Sequence, residues 1–108
     1  MDNVINKLYK TILDRKINGQ KGSYTKYLFT KGKEKILKKV GEEATEVVIS
    51  SLAESKEDQV NEICDLTYHI LVLMAELDIP LELVEDELSK RNNKINNFKG
   101  ERKKIENI

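Results

Sequence analysis

The chain has 108 residues, a length suited to one domain, and its 19 basic and 19 acidic side chains cancel to a formal charge of zero. A composition 39% hydrophobic and 35% charged fits a folded globular protein rather than a disordered one, and the charge balance argues against nucleic acid or a membrane surface as a partner. The single cysteine, Cys64, excludes an internal disulfide or a thiolate metal cluster and reads as a small buried hydrophobe. With no secretory h-region and no apolar run near the roughly 18 residues of a membrane span, the expected location is the cytoplasm.

In chain order, "DNVINKLYKTILDRK" places Val4, Ile5, Leu8, Ile12 and Leu13 at helical spacing and predicts a first helix over about 2–16. Gly19 and Gly22 interrupt it, and "SYTKYLFTKG" predicts a short helix closing near Gly32. From Lys33 to Ala53 the 3.6-residue period is strong, with Ile36, Leu37, Val40, Ala44, Val47, Val48 and Leu52 on one face. Gly41, at about 1 kcal/mol against alanine in a helix, reads either as close packing or as room for a ligand or loop. Ser55 is the expected N-cap of a helix from about Lys56 to Leu77, whose main buried face is Val60, Ile63, Thr67, Ile70, Leu71 and Met74. Pro80 opens a last helix, lined by Leu81, Val84 and Leu88 and reaching about Arg91. The tail, 93–108, is polar and rich in Asn and Lys, and either extends that helix or frays.

No convincing strand, internal repeat or glycine-rich phosphate loop is present, so the expected fold is all-α: an antiparallel bundle of four main helices forming one domain over 1–92. Ile49 and Val72 fall outside the main apolar stripes and suggest a second burial face supplied by a partner subunit.

The acids carry the chemistry. Glu43 and Glu46 are three residues apart, Glu42 and Glu46 four apart, and Glu62 and Asp65 three apart on the next helix, all spacings that share one side. At 100° per residue Glu43 borders the apolar stripe, while Glu42 and Glu46 lie farther round. His69 follows Asp65 by four. Clustered carboxylates repel unless protons, lysines or a hard divalent cation compensate, and all-oxygen ligands favour magnesium or manganese over zinc. Spacing alone leaves open a metal cradle, a solvated acidic face balanced by Lys35, Lys38 and Lys39, and a structural polar network.

The stretches "GSYTKYLFTKGKEKILKKVGEEATEVVISS" and "EICDLTYHILVLMAELDIPLELVEDELSKR", with "ILDRK" before them, closely resemble the phosphoribosyl-ATP pyrophosphohydrolase family of histidine biosynthesis. That family sits within the all-alpha nucleoside triphosphate pyrophosphohydrolases, whose signature is E-x-x-E and E-x-x-D on neighbouring helices. Here these are Glu43/Glu46 and Glu62/Asp65, which the resemblance implies as a magnesium cradle, with manganese a possible substitute. Glu42 would add a ligand or orient water. The implied reaction is hydrolysis of phosphoribosyl-ATP to phosphoribosyl-AMP and pyrophosphate, magnesium bridging acid and phosphate oxygens while water breaks the alpha–beta phosphoanhydride.

The resemblance further implies a basic clamp on the phosphates, Lys39 foremost, then Lys35 and Lys38, with Lys31 and Arg91 beyond. Ser23 and Thr25 would bond phosphate or ribose and Tyr24 would pack on the base, although capping and anchoring explain the same three letters. His69 reads either as an interior hydrogen-bonding histidine or as a residue that supports the ligands or meets substrate, and Tyr68 as packing. The alternative within the superfamily is a house-cleaning nucleoside triphosphate pyrophosphohydrolase.

Overall fold

The computed structural model describes residues 3–53 and 55–96; the remainder of the tail, 97–108, lies outside the described residues. Five helices follow one another: α1 (Val4–Asn18), α2 (Tyr24–Lys31), α3 (Lys33–Ala53), α4 (Lys56–Glu76) and α5 (Leu81–Asn92). Among the described residues there is no strand, so the chain is all-α, four main helices with short α2 between the first two.

Local chemistry sets the boundaries. Asn3, Ser23 and Ser55 each accept a hydrogen bond from the backbone N–H three residues on, capping α1, α2 and α4. Ser55 also donates to Asp58 Oδ2 at 3.1 Å. Gly32, at φ 95°, closes α2 in a conformation that L side chains avoid, and α3 starts one residue later. Gly19 has another reason to be glycine: an added Cβ would lie 2.3 Å from the Arg15 carbonyl oxygen and 2.7 Å from Lys26 Cβ. Pro80 occupies the N-cap of α5.

The core draws on every helix: Tyr9 and Ile12, Leu28, Ile36, then Leu71, Val72, Met74 and Ala75, and Leu81. Fully burying such a side chain stabilises by about 1.5–3 kcal/mol. Two long side chains of α1 fasten the turn after α4. Lys16 Nζ donates to the Ala75 carbonyl at 2.9 Å, where a cation also complements the C-terminal end of the helix dipole, and the Tyr9 hydroxyl donates to the Ile79 carbonyl at 2.6 Å.

Four expectations about burial are corrected. On α4, Leu71 and Met74 are buried as expected, but Val60, Ile63 and Ile70 are 54%, 52% and 40% exposed. Val72, expected to need a partner, is fully buried within the chain. On α3, Ile36 is buried while Val48 and Leu52 are bare, and Cys64 is exposed rather than buried. The cause is length. The α3–α4 hairpin outruns its covering helices, so its two apolar stripes meet different fates.

Candidate active site

α3 and α4 form the most extensive helix contact and run antiparallel, as the short connection between them requires. Gln59 Nε2 donates to the Ser50 carbonyl at 3.3 Å near the connection, with Ser50 itself buried. That register brings Glu43 of α3 opposite Glu62 and Asp65 of α4. One carboxylate oxygen from each of Glu43, Glu62 and Asp65 lies within 4.8 Å of the others.

The acids are not equivalent. The Glu43 side chain is 13% exposed, Glu62 is partly covered and Asp65 faces solvent. Glu46 is exposed and stands outside this trio, as does the half-exposed Glu42. Three residues turn a helix by 300°, so Glu46 points about 60° away from Glu43 while moving along the axis. The expected four-acid cradle is therefore three converging carboxylates with Glu46 beside them.

The basic residues separate as well. Lys39 Nζ lies 3.4 Å from Glu43 Oε1 and 3.8 Å from Glu42 Oε1. Burial works against its ammonium form, but neighbouring Tyr24, Glu43 and Glu42 more than offset this and hold its pKa above the ordinary lysine value. Lys35 is partly covered and Lys38 exposed on the same helix. Lys31 sits over the Tyr27 ring, 5.8 Å from its centroid, and Arg91 pairs with Glu87 on α5 at 3.1 Å.

The "SYT" segment engages the protein itself. Ser23 Oγ caps α2, the Thr25 hydroxyl bonds the Tyr68 hydroxyl, and the Tyr24 hydroxyl is 3.1 Å from His69 Nε2. His69 Nδ1 lies 2.7 Å from the Asp65 carbonyl oxygen, which can only accept, so Nδ1 carries the proton. In the neutral ring Nε2 then accepts from Tyr24. The tyrosines form a cluster, Tyr24 stacking at 6.0 Å on Tyr27 and at 6.2 Å on Tyr68, with the His69 ring edge-on to Tyr24 and Tyr68. Burial raises the Tyr68 pKa against the opposing Thr25 hydrogen bond. Burial also raises that of Tyr24, with Lys39 opposing and Tyr68, Glu43 and Tyr27 adding to the rise. The four-residue step from Asp65 to His69 was visible in the sequence, whereas the partner 45 positions away was not.

The trio suits a small hard cation. Every donor is a carboxylate oxygen, and ligands on opposite sides of one magnesium are about 4.2 Å apart, close to the spread seen here. Carboxylates this close repel one another, and an ion between them reverses the sign of that interaction.

Fold and site together define an all-α protein with a carboxylate centre between two antiparallel helices. The sequence profile described as phosphoribosyl-ATP pyrophosphohydrolase matches residues 5–92. The chain is similar to proteins named phosphoribosyl-ATP pyrophosphatase: 56% identical to that of Clostridium novyi (strain NT) over all of both chains, and 60% identical to that of Clostridium acetobutylicum over 97% of this chain and 96% of the relative. The one from Bacillus cereus (strain AH820) is 47% identical over all of both. The chain belongs to the phosphoribosyl-ATP pyrophosphohydrolase family.

Proposed function

We infer that the chain hydrolyses phosphoribosyl-ATP to phosphoribosyl-AMP and pyrophosphate in histidine biosynthesis. The reading is carried by the convergence of Glu43, Glu62 and Asp65 in a chain that matches proteins of that name along its whole length. Glu43, Glu62 and Asp65 would hold magnesium, or manganese in its place, with Glu46 the adjoining fourth acid. A magnesium bound there supplies charge neutralisation and polarises phosphate oxygens.

The chain's own residues do the rest. Lys39, already against Glu43, provides a cation for the phosphates at the edge of the acids, and Lys35 and Lys38 extend that charge along α3. Lys31 and Arg91 are the outer members of the same proposed clamp. Ser23, Tyr24 and Thr25 shape the wall beside the acids, and Glu42 and Glu46 are left to orient water. A second copy covering Val48, Leu52, Val60 and Ile63 makes the working form a homodimer, placed in the cytoplasm with the pathway it serves. Among the described residues no helix is long and apolar enough to cross a membrane.

The test is pyrophosphate release from phosphoribosyl-ATP with magnesium, compared with dUTP, dCTP and ATP. Magnesium-dependent turnover is expected, with the highest kcat/KM for phosphoribosyl-ATP. Folded protein that prefers a simple nucleotide would point to the house-cleaning reaction instead.

A further inference from the structure

His69 is a buried titratable side chain for which hydrolysis itself has no use. It is 5% exposed, and both ring nitrogens are engaged, Nδ1 with the Asp65 carbonyl and Nε2 with the Tyr24 hydroxyl. Neither nitrogen is left for a phosphate or a metal. Next to it, Tyr68 pairs with Thr25. Two consecutive residues at the start of α2 are thus joined to two consecutive residues of α4, one turn beyond Asp65. α2, which Tyr24 begins, also packs against α3. The start of α2 therefore links the helix that carries Glu43 to the helix that carries Glu62 and Asp65.

We propose that His69 is a positioning residue: through Tyr24 it fixes the start of α2 between α3 and α4 and so holds the separation of Glu43 from the Glu62/Asp65 pair. The inference rests on the carboxylates being a metal-dependent hydrolytic centre. Its physical basis is that groups outside a ligand set fix the placement of the ligands, and that their loss lowers metal affinity or activity by about 10–100-fold. His69 suits the task because the proton on Nδ1 is committed to a carbonyl of its own helix, which leaves a fixed lone pair for Tyr24.

The experiment compares Tyr24→Phe, His69→Asn and His69→Gln with the unaltered protein by manganese titration (electron paramagnetic resonance of the free ion), kcat and KM for phosphoribosyl-ATP, and thermal unfolding. Asn keeps a donor where Nδ1 was and loses the acceptor for Tyr24; Gln places an oxygen near the position of Nε2. Tyr24→Phe and His69→Asn are expected to weaken manganese binding and lower kcat by about ten-fold each, with KM within two-fold, and His69→Gln to recover most of both. Folded variants with unchanged manganese affinity and kcat and only a lowered melting temperature would overturn the inference, leaving the contact as packing. Because Tyr24 is 46% exposed, Tyr24→Phe keeps the comparison decisive where a change at buried His69 prevents folding. An unaltered protein that neither binds manganese nor releases pyrophosphate would instead remove the proposed function, and this inference with it.

Discussion

The two ends of the α3–α4 hairpin are built alike and finished differently. At one end Ile36 and the run Leu71, Val72, Met74 and Ala75 are enclosed by α1, α2 and the start of α5. At the other, Val48, Leu52, Val60 and Ile63 are all more than half exposed. Both ends carry the same apolar periodicity, so what separates them is the number of helices available to cover them. The acid trio occupies the hairpin between a completed core and an open one. One side of the centre is thus fixed by the chain alone, and the other is open to a second copy.

The contrast can be broken most strongly at the covered end. Leu28→Ala should destabilise by about 2–5 kcal/mol in urea unfolding at any protein concentration. Leu52→Lys should leave the monomer's stability within about 0.5 kcal/mol while shifting sedimentation from dimer to monomer. A monomeric unaltered protein at high concentration would end the proposal of a second copy there.

Within the centre, Glu43→Gln should reduce magnesium-dependent turnover by about a hundred-fold or more, and Glu46→Gln by less than about ten-fold, because Glu46 stands outside the converging oxygens. Equal losses would restore the symmetric four-acid cradle. Smaller effects of opposite sign are expected at Lys39. Replacing it with methionine removes a cation 3.4 Å from Glu43, so manganese should bind about two- to five-fold tighter while KM for substrate rises by a similar factor.

The smallest effect lies at alkaline pH. Tyr68 binds its proton more tightly in the folded chain than the ordinary phenol, whose pKa is about 10. Its contribution is therefore complete below pH 10 and lost as pH rises from there through the raised folded value. Tyr68→Phe should flatten that decline in chemical-denaturation curves, although it lowers stability by about 1 kcal/mol at pH 8 through the lost hydrogen bond to Thr25.

Helix boundaries were legible because they are local: Ser55, Gly32 and Pro80 act on the backbone within a few residues, and the five helices begin and end near the expected positions. Burial was legible only in part. Periodicity identifies an apolar stripe but not its cover, which is why Val60 and Ile63 read as core and Val72 as partner-facing in the sequence, while the fold exposes the first two and buries the third. For the acids, spacing correctly set Glu43 nearest the apolar face, while the choice among Glu42, Glu43 and Glu46 depended on a register that only the pairing of α3 with α4 creates. The joining of Tyr24 and Thr25 to His69 and Tyr68 spans more than 40 positions and leaves no periodic trace.

Gly19 shows how far from the chemistry a constraint can originate. Its obstacles are a backbone oxygen and the first carbon of a side chain rather than a movable tip, so even a methyl group would have to push α1 and α2 apart. The start of α2, five positions downstream, would move with them and carry the Tyr24 phenol off its histidine. A mutational scan should accordingly find this position intolerant, although it contributes no functional group: the absence of one carbon atom helps to keep distant oxygens in place.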